Sequence, residues 1–100
     1  TNASRCIATM TDILTSEPRH VLSIHYLGVC MYGSGNKAKA EESFKAALAI
    51  DPTFAAAHFS LGELYENDGK KDEAKKAYEA AAALDHTEAR DALKRLTSAR

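Results

Sequence analysis

Four histidines, two cysteines and a scatter of carboxylates are the residues of this 100-residue chain with chemistry to offer. His20, His25, His58 and His86 never stand at the i, i+4 spacing that lets one helix face hold a metal ion, so no metal site is expected. His58 reads as a packed side chain, whereas His25 is expected to face a partner and to make binding pH-sensitive. Asp12, Glu17 and the Glu41-Glu42 pair have the chemistry of general acids. Yet Glu41 precedes Lys45 by four residues and Asp72 precedes Lys76 by four, the spacing of solvated helix-surface ion pairs. Lys70-Lys71 and Lys75-Lys76 form a basic strip, but Asp72, Glu73 and Glu79 interleave it, which describes a wet face. Gly33-Ser34-Gly35 has the glycines of a phosphate-binding loop without the preceding strand or the Lys-Ser/Thr pair, and is read as a turn. No Ser-His-Asp or Cys-His grouping has a supporting context. The chain is therefore expected to have no catalytic residue and no cofactor.

Cys6 and Cys30 lie on apolar helical positions, outside any metal or redox spacing. They read as buried, reduced thiols serving as small hydrophobes, with a disulfide between them as the lesser alternative. Reduced thiols point to a cytoplasmic setting. Thirteen basic against fourteen acidic residues leave a formal charge of −1, without the strongly basic footprint of a nucleic-acid binder. No apolar run approaches the roughly 18 residues of a membrane span. The opening residues, Thr1 to Met10, have no signal-peptide pattern, and the missing initiator methionine suggests an excised piece whose targeting signal lies elsewhere.

These side chains must be positioned by helices. Apolar residues from Val21 to Ile50 recur at helical spacing, interrupted once by Gly33-Ser34-Gly35-Asn36, a connection suited to antiparallel helices. Asp51-Pro52 is expected to start the next helix, with Asp51 as N-cap and Pro52 at the first helical position, and Asn67-Asp68-Gly69 to turn the chain again. The periodicity predicts helices over 3–15, 19–33, 37–50, 54–67, 71–84 and 87–98. Leu27, Gly28, Gly35, Ala40, Phe44, Ala47 and Asp51 recur 34 residues later as Leu61, Gly62, Gly69, Ala74, Tyr78, Ala81 and Asp85. Repetition at this interval is the mark of stacked supersecondary units. Projected upstream, the same offset makes residues 1–17 the second helix of an incomplete repeat. Residues 18–51 and 52–85 are then full repeats, and 86–100 is a capping helix whose Arg90, Lys94, Arg95 and Arg100 keep its outer side wet.

The pattern resembles the tetratricopeptide repeat. Leu27-Gly28, Ala40, Phe44, Ala47 and Pro52 match one unit, and Leu61-Gly62, Tyr65, Ala74, Tyr78 and Ala81 match the other. Ile24 and His58 depart from it in the usual aromatic slot, Met31 stands in place of Tyr, and His86 replaces the closing proline, which is expected to loosen the last junction. The resemblance implies an all-α, right-handed solenoid of antiparallel helix pairs, about six helices in all. Gly28 and Gly62 would sit where paired helices cross, beside Ala40 and Ala74, with Phe44 and Tyr78 filling the gaps.

The resemblance also implies a non-catalytic scaffold for protein–protein interaction, its concave groove lined by the first helix of each unit. Mapped residue by residue, the lining is Leu22, His25, Tyr26, Val29 and Tyr32, then Ala56, Phe59, Ser60, Glu63 and Asn67. Arg90 and Lys94 follow as a basic end. Tyr26, Tyr32 and Phe59 stand out because the fold does not require aromatics there. Either a partner peptide or helix lies on them, or a neighbouring helix covers them. Relatives that hold acidic chaperone tails carry a clamp of Lys and Asn on the first groove helix and Asn on the second. His25, Val29 and Ser60 stand there instead, so that ligand is not expected. Two other readings stay open: self-association through the open N-terminal half repeat, and a repeat region appended to an enzyme or a larger assembly protein.

Overall fold

The computed structural model describes residues 2–98, so the outward placement expected of Arg100 lies outside the described residues. Six α-helices follow one another: α1 (Asn2–Ser16), α2 (Val21–Gly33), α3 (Lys37–Ile50), α4 (Ala55–Asn67), α5 (Lys71–Ala83) and α6 (Thr87–Ser98). Every helix predicted from the periodicity is present, its ends within two residues of the expectation. No strand occurs among the described residues.

The chain divides between Pro52 and Thr53 into two compact units. In the first, α2 packs on α1 and on α3; in the second, α5 packs on α4 and on α6. Each unit is built around a glycine–aromatic contact. A Cβ added to Gly28 would stand 2.7 Å from a Phe44 ring carbon, and one added to Gly62 would stand 2.5 Å from the Tyr78 ring. Gly28 and Gly62 thus occupy equivalent environments, and the aromatic ring fills the space a side chain would need. Ala40, Ala47, Ala74 and Ala81 are fully buried, and Phe44, Leu64 and Tyr78 are the largest fully buried side chains. Small residues let the helices approach closely, and the rings close the gap.

The turns follow the expected chemistry inside each repeat. Gly35 and Gly69 stand at the middle of the α2–α3 and α4–α5 connections at φ +91° and +78°, a left-handed conformation that glycine adopts without steric cost. Asn36 caps α3 by accepting the Lys39 N–H at 3.3 Å. The start of α4 differs from expectation. Asp51 closes α3, its N–H donating to the Ala47 carbonyl, and Pro52 lies in the turn that follows; α4 begins at Ala55 behind Phe54. Two histidines act as caps. His20 Nδ1 accepts the Ser23 N–H at 3.2 Å at the head of α2, and His86 Nδ1 accepts the Ala89 N–H at 3.2 Å at the head of α6. His86 therefore fastens the last junction where loosening was expected.

The cysteines also depart from the expectation of reduced thiols. Cys6 of α1 and Cys30 of α2 are joined in a disulfide, their Cα atoms 5.9 Å apart and 24 residues apart in sequence. No residue of α1 is buried, and Cys6, Ile7, Met10, Ile13 and Leu14 are half-buried. The disulfide is a covalent addition to a thin apolar seam. With the thiols paired, the cysteines no longer support a cytoplasmic setting. No helix among the described residues is long and apolar enough to cross a membrane.

Candidate functional site: an apolar strip on α2 and a cavity over α4 to α6

In the first unit α2 is covered on both flanks, and one strip remains open. Leu22, Tyr26 and Val29, at i, i+4 and i+7, keep 47%, 46% and 43% of their surface exposed. Among the described residues the exposed large hydrophobics are these three and Leu84. Tyr32 is half-buried. His25 corrects its expected role: it is buried, with its ring 5.4 Å from the rings of Phe44 and Tyr26. It packs within the unit because its position on α2 turns toward α3 rather than along the open strip.

In the second unit a cavity of about 580 Å³ opens over α4, α5 and α6. That size is ordinary for a ligand pocket. Phe59, Glu63 and Asn67 of the expected lining meet there, joined by Tyr78 from α5. Phe59 stacks on His86 at 4.7 Å and tilts against Tyr78 at 5.6 Å, so it is a fixed wall. Ser60 is half-buried and Ala56 likewise, and neither lines the cavity.

Arg90 and Lys94 are not in the cavity either; Glu88, Asp91 and Arg95 take the α6 side. The cause is a change of register. α4 starts 34 residues after α2, at Ala55 against Val21, and α5 starts 34 after α3, at Lys71 against Lys37. α6 starts at Thr87, two residues short of that interval from Ala55. α5 is one residue shorter than α3, and a three-residue connection, with Asp85 at φ +65°, replaces the four residues around Pro52. Two residues turn a helix by about 200°, which carries Arg90 and Lys94 to the side roughly opposite the buried Ala89 and Ala92. Arg90 there bonds Asp85 at 2.6 Å. The expected basic end is acidic.

One carboxylate ties this unit together. Glu66 of α4 accepts the Tyr78 hydroxyl at 2.8 Å and a forked pair of bonds from Arg95 of α6, Nη2 to Oε1 at 2.9 Å and Nη1 to Oε2. The Arg95 bond, more than any other influence, lowers the Glu66 pKa to about 2. The Tyr78 hydroxyl is pushed upward, first by burial and then by its bond to Glu66. Glu63 goes the other way: burial, then the charges of Glu88 and Glu66, raise its pKa, and His86 offsets this only in part.

Glu66 was not singled out from the sequence, since alone it reads as one more surface charge. A signal was present in the aromatic swap. Tyr78 stands where the first unit has Phe44, and a buried tyrosine hydroxyl needs an acceptor. Elsewhere Glu41 and Lys45 pair at 2.8 Å as expected. Among the described residues no three His, Cys, Asp or Glu side chains group as a metal site.

The sequence matches the tetratricopeptide repeat family over residues 31–96. The chain belongs to that family. Among solved structures, the first TPR of Spaghetti (RPAP3), bound to the HSP90 peptide SRMEEVD, superposes with a TM-score of 0.86 at 21% identity, over 96% of this chain and 78% of that one. The Sgt2 TPR domain from Aspergillus fumigatus gives 0.86 at 22% identity, over 96% and 66%. The crystal structure of MamA gives 0.79 at 24% identity, over 90% of this chain and 53% of that one. The chain thus spans about half the length of the MamA structure and about two thirds of the Sgt2 domain. These likenesses establish an all-α helical-repeat solenoid fold. A search of the curated proteins finds no match.

Proposed function

We propose that this tetratricopeptide repeat chain is a non-catalytic scaffold, binding a peptide or helix of a protein partner on the open strip of α2 and at the cavity of the second unit. The observation that carries this is the strip of Leu22, Tyr26 and Val29: one apolar face left open on a helix otherwise covered on both flanks. Such a strip is a surface for apolar anchors of a partner, with tyrosine among the residues that most often dominate binding energy. The peptide held by the Spaghetti relative supports peptides as the partner class. The division into a half repeat (1–17), two repeats (18–51 and 52–85) and a capping helix (86–100) belongs to the same proposal.

Peptides selected from a random displayed library against the intact chain test it. Leu22→Ser with Tyr26→Ser removes the anchors from exposed positions, so circular dichroism and melting temperature stay at parental values. Affinity for the selected peptides falls at least about tenfold, equal to roughly 1.4 kcal/mol. Equal affinity in the two chains contradicts the proposal. A mass that rises with concentration, and falls back in the variant, assigns the strip to self-association instead.

A further inference from the structure

We propose that the cavity of the second unit receives a lysine or arginine side chain of the partner segment, which makes the preferred ligand a basic peptide. This rests on the peptide-binding reading above and adds the charge of the ligand. Among the described residues, four carboxylates line the cavity, Glu63 and Glu66 from α4 and Glu88 and Asp91 from α6, against the single guanidinium of Arg95. That guanidinium is already committed to Glu66 through both Nη atoms. Glu63, Glu88 and Asp91 therefore gather negative charge in one wall; burial first, and then the charges of Glu88 and Glu66, raise the Glu63 pKa, and His86 offsets this only in part. A cation entering the cavity relieves it.

Shape and wall chemistry narrow the choice of cation. A cavity of about 580 Å³ is far larger than a bare ion needs, and the carboxylates around it do not group as metal ligands. The half-buried ring of Phe59 lines the same space, while Tyr78, almost fully buried, closes the wall. An aromatic ring beside carboxylates suits a long side chain with a hydrocarbon stem and a cationic head, the stem lying on Phe59 and the head among the acids. The relative that holds SRMEEVD carries an acidic peptide; the present cavity has the charge for the opposite kind. Charge complementarity of this type acts on partner choice and on association rate.

The test is a nuclear magnetic resonance titration of the intact, ¹⁵N-labelled chain at low salt with four capped tetrapeptides, all-Arg, all-Lys, all-Gln and all-Glu. The Arg and Lys peptides give saturable shifts of amides in 59–67 and 88–95. Glu63→Gln with Asp91→Asn weakens both by about tenfold or more, and raised salt weakens them in the parent. The Gln and Glu peptides leave those amides in place. The proposal is overturned if the Arg and Lys peptides cause no saturable change there. It is equally overturned if their shifts spread over Glu41, Glu42 and Glu79 and survive the double substitution. Tyr26→Ser leaves the cavity intact and keeps tetrapeptide binding, so a failure of the charge assignment and a failure of the peptide-binding reading give different results.

Discussion

At the scale of single residues, the two glycine–aromatic contacts decide whether each unit can close. Leu-Gly twice, with an aromatic sixteen residues after each glycine, was legible because the same collision forbids a side chain in both units. Gly62→Ala places a methyl 2.5 Å from the Tyr78 ring. The ring or its helix must shift, and urea denaturation is expected to show a loss of about 1–3 kcal/mol. Glu66 gives a pH-dependent prediction. Its folded pKa of about 2 lies below the ordinary 4.5, so the unfolded chain binds that proton more tightly. Its stabilisation is full above about pH 4.5 and drains away as the pH falls toward about 2. Urea midpoints of the parent and Glu66→Gln should differ most near neutrality and converge across that window. His25 was misjudged for the opposite reason to Glu66. A histidine on an amphipathic helix is ambiguous until the neighbouring helix is placed, and α3 claims it through Phe44.

Helices were readable almost to the residue where turn chemistry was local, as at Gly35 and Gly69, and less so where it was not. The 34-residue offset failed at α6 because α5 ends one residue early, at Ala83, and a connection shorter by one residue, through Asp85 and His86, follows it, so the helix begins two residues early. That slip hid Glu88, Asp91 and Arg95 behind Arg90 and Lys94. The absent proline at position 86 was the visible hint, read as loosening when it marks a different junction. His20 and His86 serve as caps, so His20→Ala should cost about 1 kcal/mol, whereas His20→Asn, which keeps an acceptor, should cost less; thermal denaturation of both variants checks this. The Cys6–Cys30 link makes α1 a tethered element. Closing a loop across 24 residues contributes about 3 kcal/mol in the chain-entropy view. Reduction, or Cys6→Ala, is expected to raise hydrogen exchange over 2–16 well before α3 is affected. Alkylation of both thiols without reductant contradicts the pairing.

At the scale of the whole molecule, fold class and repeat family were legible because every level of the sequence agrees: period, turn glycines, small crossing residues and buried aromatics. Of the lining that the resemblance implied, the structure gives only positions: Leu22, Tyr26 and Val29 are exposed, and Phe59, Glu63 and Asn67 meet in one cavity. The sign of the charge beside them was not legible, since it depends on a helix register that no repeat arithmetic supplies. The central proposal is that a partner segment is held on one or the other of these surfaces and not on the exposed sides of α3 and α5. Amide shift mapping of the intact chain with a library-selected peptide tests this most directly. The account predicts saturable changes concentrated at 22–29 or within 59–67 and 88–95; changes centred on the exposed positions Glu42, Lys45, Lys75 and Glu79, with those segments unmoved, would contradict it.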